Sequence, residues 1–401
     1  MVKSFNAFTY ELDDINKAAD ELYNQIYNGT ELKKNTVGIL LSDYDIDKFS
    51  LAKKINEKFD FEIIGSTTVG IIDKVKGYDE LCICLTVLTS DTCSFHVELS
   101  GKIDHKNINR EIESCYLRGE KALGKRAKMI FAIPCFKENI LIDKYIEALS
   151  LASFNIPTFG GMPTGGRGRQ GMLFLKGGAY DDRLAILLIA GNINPIFISD
   201  YSLLNVGGQK RTITKAKDNV IYALGDMTFI EYIKNIGISL HSSADKEKNM
   251  KFIPTPLLIE STRNGEKYQY LRTIIGIDEK TGCGISIGSI EEGAVANVGF
   301  LRKSDITASF STAIDNLIKK IKENEEAYGC TYSTILCISC FSRYFVMSPD
   351  YHMEGDLAKE KLRCLGLNFM AFYFFGEISP RNFSGYIRNT YNNGTICLCA
   401  F

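Results

Sequence analysis

Three times along this chain the residue pattern repeats one order of elements, and a repeat of that kind restricts the fold more than composition does. Each pass is an apolar strand, a polar loop, a helix, a second strand, a glycine turn and a further strand. The first runs through 36–42, a helix over 45–58, a strand at 61–64, the turn Gly65-Ser-Thr-Thr-Val-Gly70 and a strand over 81–89. The second takes 128–133, a helix over 140–152, a strand at 155–159, the glycine-rich stretch 160–166 and strands at 173–176 and 183–190. The third takes 334–339, a helix region from Gly355 to Gly366, the strand 368–375, the turn at Gly376 and a last strand to Phe401. Strand-length apolar runs alternating with helical periodicity predict an α/β fold of mixed β-sheets with flanking helices, built from recurring units. A further helix is predicted over 11–34.

Ile396, Leu398 and Phe401 would each cost about 1.5 to 3 kcal/mol if left in water, so the last strand is expected to be paired in a sheet. The strand 370–375 is its expected neighbour. That pairing brings Glu377 and Asn393 to one end, and Gly376 is the only turn glycine of the three passes followed directly by a carboxylate.

Between the second and third passes the pattern changes. Residues 206–224 read as a hairpin turning at Asp218-Asn219, 226–236 as a helix, and 253–261, 268–278 and 284–288 as strands. A long helix follows over 305–325. The expected organisation is two domains, 1–200 and 201–401, with the boundary near Asp200.

A net charge of −1 offers no basic face for nucleic acid or an anionic membrane. The longest apolar stretch, 184–190, is far short of the roughly 20 residues of a membrane span, and the first residues lack the charged-then-apolar order of a signal peptide. The expected location is cytoplasmic, without membrane insertion, and the twelve cysteines are expected to be reduced thiols.

In order and spacing these landmarks resemble the FIST family, an N-terminal FIST domain followed by a FIST C-terminal domain. The matching pieces in the first half are Gly65-Ser-Thr-Thr-Val-Gly70, Ile156-Pro-Thr-Phe-Gly-Gly161 and Ala185-Ile-Leu-Leu-Ile-Ala-Gly191. In the second half they are the stretch 212–221, Tyr270-Leu-Arg272, Cys340-Phe-Ser-Arg343, Phe375-Gly-Glu-Ile378 and Asn393-Gly-Thr395. The resemblance implies a bacterial sensory protein that binds a small ligand such as an amino acid. It implies a separate output partner such as a histidine kinase, a cyclase or a chemoreceptor, because the 401 residues leave no stretch for an output domain. Some members are haem-binding nitric-oxide sensors, and here His352, in the loop 348–354, is the histidine to test as a haem ligand. No other cofactor is expected.

Gly166-Arg-Gly-Arg-Gln-Gly171 matches the dinucleotide pattern formally, but the residues after it read as a strand, whereas phosphate binding needs a helix N-terminus there. A loop, or a lid that places Arg167 and Arg169 over an anion, fits better. Cys337-Ile-Ser-Cys340 has no second pair to complete a zinc site, and Cys82/Cys84 and Cys397/Cys399 have the spacing of one strand face. An enzyme is the third reading, since no stretch gathers a nucleophile, a base and an orienting residue.

Arg272 lies inside an apolar strand and Arg343 follows one. Each needs a carboxylate, from Glu377 and Glu260 or from a ligand. Either an ion pair holds the fold, or an arginine fork grips a ligand carboxylate while Glu377 or Asp278 faces its amine. Asn393, across from Glu377, completes the candidate ligand-binding set.

Overall fold

The apolar run 184–190 is buried from end to end, as are 37–42, 129–134 and 334–340. Such runs suit strands covered on both faces. The computed structural model describes residues 2–137, 140–165, 170–201, 205–242, 251–253, 255–263, 265–363 and 365–401. Unit one comprises β1 (Lys3–Thr9), α1 (Ile15–Gly29), β2 (Asn35–Ser42), α2 (Lys48–Lys58), β3 (Glu62–Thr67), β4 (Ile71–Asp73), β5 (Gly77–Asp79) and β6 (Ile83–Ser90). Unit two repeats the order with β7 (Cys93–Leu99), α3 (Ile108–Leu123), β8 (Met129–Pro134), α4 (Ile142–Ala152), β9 (Thr158–Gly161), β10 (Leu173–Leu175), β11 (Gly178–Tyr180) and β12 (Leu184–Gly191).

Unit three opens with β13 (Ile196–Asp200) and is then interrupted by an insert. The insert holds β14 (Asn205–Lys217), β15 (Val220–Leu224), β16 (Met227–Thr228), α5 (Phe229–Asn235), β17 (His241–Ser242) and β18 (Lys251–Phe252). It continues with β19 (Leu257–Arg263), β20 (Glu266–Arg272), β21 (Ile274–Asp278), β22 (Cys283–Ser286) and β23 (Val295–Phe300). The unit resumes with α6 (Lys303–Tyr328), β24 (Thr334–Cys340), α7 (Phe341–Met347), α8 (Met353–Leu362), β25 (Asn368–Phe374), β26 (Glu377–Phe383), β27 (Tyr386–Asn392) and β28 (Ile396–Ala400).

Each unit builds four strands of one six-stranded sheet and gives its hairpin to another. The orders are β1-β6-β2-β3-β10-β11, β7-β12-β8-β9-β26-β27 and β13-β28-β24-β25-β4-β5. Unit one therefore completes sheet three, unit three completes sheet two, and unit two completes sheet one. The exchange closes on itself, and the three units form a ring. In every sheet the one parallel pair, β2-β3, β8-β9 or β24-β25, is spanned by crossover helices, as parallel strands require.

The inner faces of the three sheets share one core, with Leu41, Ile133 and Ile338 at matching positions around it. Phe131 meets Phe372 edge to face at 6.3 Å. The outer faces carry the helices: Leu22 and Leu51 pack on sheet one, Ile112 and Tyr145 on sheet two, Phe310 and Leu362 on sheet three. The insert has its own core and a ten-stranded antiparallel sheet that ends at β20.

The α/β class and the three units match the sequence reading, and the hairpin at Asp218-Asn219 is present, Asp218 adopting φ 55°. The last strand is paired, but between β13 and β24, so its expected neighbour β25 lies one strand further away. Phe401 seals the end by exchanging backbone hydrogen bonds of 3.1 Å with Thr334. The recurrence also lacks β1, β7 and β13, whose half-buried side chains do not form apolar runs. Helix α1 is shorter than 11–34 because Asp14 caps it, accepting from the amides of Asn16 and Lys17. Sheets two and three draw strands from both sides of Asp200, near which the sequence places a boundary. Residues 166–169, with Arg167 and Arg169, lie outside the described residues.

Candidate functional site

Where the insert meets the ring, α4 and the hairpin β26–β27 form one wall of a cleft of about 580 Å³, and β19, β20 and the segment 289–291 form the other. Its volume falls within the roughly 300–1,000 Å³ of small-molecule sites. Arg272, at the end of β20, is buried at this joint. Its Nε donates to Ser289 O at 2.9 Å, and one terminal nitrogen donates to Leu271 O at 3.1 Å and to Tyr391 O at 3.2 Å. Ser289 and Leu271 belong to the insert and Tyr391 to the ring, so one guanidinium ties the two together.

The other terminal nitrogen lies 3.7 Å from Asp143 Oδ1, too long for a hydrogen bond. Asp143 sits in the first turn of α4 and its Oδ2 accepts from Ser289 N at 2.8 Å. The guanidinium also lies over the Tyr270 ring at 4.4 Å. The result is a cation and an anion side by side, each with an oxygen or nitrogen left to bind something between them.

The lining also carries Arg263, Arg381, Arg388, Tyr268 and Tyr386 beside the carboxylates Glu147 and Glu291. Glu291 is engaged by Arg263 at 2.8 Å and by the Tyr268 hydroxyl at 2.5 Å. Desolvation, then the hydrogen bond to Glu291, pushes the Tyr268 phenol up to about 12. Arg381 and Arg388 stand opposite each other across β26–β27. Arg381 donates to Gln269 O at 2.9 Å, and neither arginine has a carboxylate partner among the described residues.

The residues singled out from the sequence separate into different environments. Arg343 is fully buried, but its partner is Glu354 of α8 at 2.7 and 3.0 Å, not Glu377. Ser309 Oγ and Ile306 O accept its other donors at 2.8 and 3.1 Å, and Tyr373 donates to Glu354 at 2.9 Å. With its donors engaged inside the protein, Arg343 reads as an internal ion pair.

Glu260 pairs with Lys210 at 2.6 Å on the rim of a neighbouring cleft, and the hydrogen bond from Lys210 holds its carboxyl below the usual value. Glu260 is therefore no partner of Arg272. Asp278 accepts from Lys280 N and Thr281 and lines neither cleft. Asn393 is buried beside the joint, where its Oδ1 accepts from Thr273 N at 3.4 Å. His352 is 63% exposed, lies 3.6 Å from Asp356 and lines none of the described clefts.

Glu377 is completely buried at the start of β26, opposite Asn392 in register. Thr395 donates its hydroxyl to Oε2, while Oε1 has no hydrogen-bond partner. Desolvation dominates and pushes the carboxyl up to about 8, with Thr395, Cys340 and the charge of Arg343 pulling the other way. Cys397, close by, is itself pushed up to about 12 by burial. Among the described residues the cysteines are free thiols and no three ligand-type side chains cluster as a metal site.

Asp143, Arg381, Arg388 and Tyr391 were not legible as site residues. Asp143 looks like any acid in a first helical turn, and the arginines alternate along an ordinary hairpin.

Among the described residues no helix is long and apolar enough to cross a membrane. The FIST N domain matches residues 36–227 and the FIST C domain residues 231–380. No curated protein matches. Among solved structures, a cyanuric acid hydrolase from A. caulinodans is 6% identical with a TM-score of 0.38, over 100% of this chain and 99% of that one. A chorismatase is 8% identical with a TM-score of 0.37, over 100% and 98%. Likenesses at this level say nothing of activity. Spanning both halves of the chain, the domain matches establish that it belongs to the FIST family, whose domains are associated with signal transduction and small-ligand sensing.

Proposed function

We propose that this protein senses a free amino acid or a similar small carboxylate in the cleft between insert and ring, and signals to a separate protein such as a histidine kinase, a cyclase or a chemoreceptor. The pairing of Arg272 with Asp143 at 3.7 Å, inside a cleft of suitable size, is the observation that carries the reading. An amino acid offers its carboxylate to the free edge of the guanidinium and its ammonium to Asp143. Both contacts are then charge-assisted hydrogen bonds, roughly twice as strong as neutral ones.

The same guanidinium holds carbonyls on both sides of the joint. A ligand that draws it aside loosens the hold on Tyr391, so ligand binding and the seating of the insert are linked, and a partner sensitive to that seating reads the ligand. In this reading Asn393 supports the joint, Arg343 holds the fold, and Glu260 and Asp278 stay outside the site.

Isothermal calorimetry with the standard amino acids tests the reading. A ligand whose affinity disappears in Arg272→Ala and falls about tenfold in Asp143→Asn, about 1.4 kcal/mol, is the expected result. No heat of binding from any amino acid or small carboxylate at millimolar concentration would overturn it.

A further inference from the structure

The hairpin given by unit three differs from its two sisters. Strands β5 and β11, which end sheets three and one, have three residues each, whereas β27, which ends sheet two, has seven. Very short end strands limit unwanted pairing. β27 is instead long; its turn-proximal residues Tyr386 and Ile387 are exposed and Arg388 half-buried, while Asn389, Tyr391 and Asn392 are buried.

Backbone geometry shows which groups face outward. The loop Ser384-Gly385 has φ of 44° and 94°, the signature of a two-residue type I′ turn, so Phe383 and Tyr386 form the first hydrogen-bonded pair. Alternation then points the N–H and C=O of Ile387, Asn389 and Tyr391 away from β26. The Tyr391 carbonyl confirms the phase, since it accepts from Arg272 across the edge. Among the described residues the backbone groups of Ile387 and Asn389 have no backbone partner.

The surroundings define what fits. Tyr386 and Ile387 are each 41% exposed, and at the end of α4 Leu151 and Phe154 are 77% and 78% exposed. Beside them stand Arg381 and Arg388, like charges directly opposite each other and without a carboxylate partner among the described residues. Such a pair is unfavourable unless an anion relieves it.

We propose that the edge of β27 at Ile387–Asn389, where it lines the cleft, receives an extended segment of the signalling partner, added as a seventh strand of sheet two. Main-chain hydrogen bonds hold the segment, its carboxylates face Arg381 and Arg388, and its alternate apolar side chains rest against Ile387 and Leu151. The inference takes from the proposed function the premise that the partner is a separate protein, and the segment would lie along a wall of the cleft assigned to the amino acid, since Leu151, Arg381, Ile387, Arg388 and Asn389 line it.

The test is fluorescence anisotropy of the full chain, with no amino acid added, against labelled peptides of four alternating Glu-Val repeats and four Lys-Val repeats. Leaving out the amino acid keeps a failure here distinct from a failure of the ligand reading. The acidic peptide is expected to bind at least about tenfold more tightly than the basic one, with the difference shrinking as salt screens the charges. Ile387→Pro removes one outward N–H and keeps the ladder to β26, so it should abolish binding. Arg388→Glu, which sets a carboxylate opposite Arg381, should erase the preference, and equal melting temperatures for the two variants and the parent protein show that the fold is kept. Equal binding of both peptides, undiminished binding by folded Ile387→Pro, or a dimer of this chain formed through the same edge would each overturn the proposal.

Discussion

Arg343 and Arg272 look alike in the sequence, one arginine in each of two apolar settings, and the structure uses them in opposite ways. Arg343 turns inward to Glu354 and is saturated by protein groups at distances of 2.7 to 3.1 Å. Arg272 is held by carbonyls and faces its nearest carboxylate only at 3.7 Å. A buried arginine whose charge is matched by hydrogen bonds is a part of the fold. One whose partners are mainly neutral carbonyls keeps attraction for an anion from outside.

The comparison breaks if the two arginines respond alike to removal. Arg343→Ala leaves Glu354 buried and unpaired, and should lower unfolding free energy by about 3 to 5 kcal/mol in a urea titration. The double variant Arg343→Met/Glu354→Leu should recover much of that loss, because an apolar pair of similar volume needs no desolvation of charge. Full loss in the double variant would mean that Ser309 or Tyr373 depends on the charges.

Glu377 sharpens the comparison as a buried carboxylate with no cation bonded to it. Its folded value of about 8 stands above the ordinary 4.5, so between those values the folded protein holds a proton that the unfolded chain releases. Stability attributable to this group is therefore full below about 4.5 and falls as pH rises toward 8, by about 1.4 kcal/mol per pH unit at most. Glu377→Gln should flatten that fall, seen as a smaller decrease of Tm between pH 5 and pH 8. An unchanged pH slope would place the titration elsewhere.

Arg272→Ala should cost less stability than Arg343→Ala, about 1 to 3 kcal/mol for the lost hydrogen bonds, while removing amino-acid binding. The smallest effect is expected at Asp278. Asp278→Asn should leave affinity unchanged and move stability by less than about 0.5 kcal/mol, as for surface substitutions generally. A clear loss of affinity there would move the site.

The three units were legible because strands covered on both faces must be apolar throughout, and the runs 184–190 and 334–340 satisfy that requirement. Which sheet a hairpin joins was not, since β4, β10 and β26 offer similar edges to any neighbour and only the packed ring chooses among them. The candidate site was half legible. Arg272 stood out as a charge in an apolar strand, but Asp143 is 129 positions away in another unit, and no local pattern links the two. Glu354 was hidden for the same reason, being presented to Arg343 by the phase of a separate helix.

The circular exchange of hairpins has a consequence for how the chain comes apart. Deleting unit three would strip β26–β27 from sheet two and leave β4–β5 with no sheet to join, so damage to one third spreads to the other two. The ring should therefore melt in one cooperative step, and a split protein made of two of the three units should not fold until the missing third is supplied in trans. Linked in this way, the three sheets resemble a knot of borrowed edges more than three beads on a string.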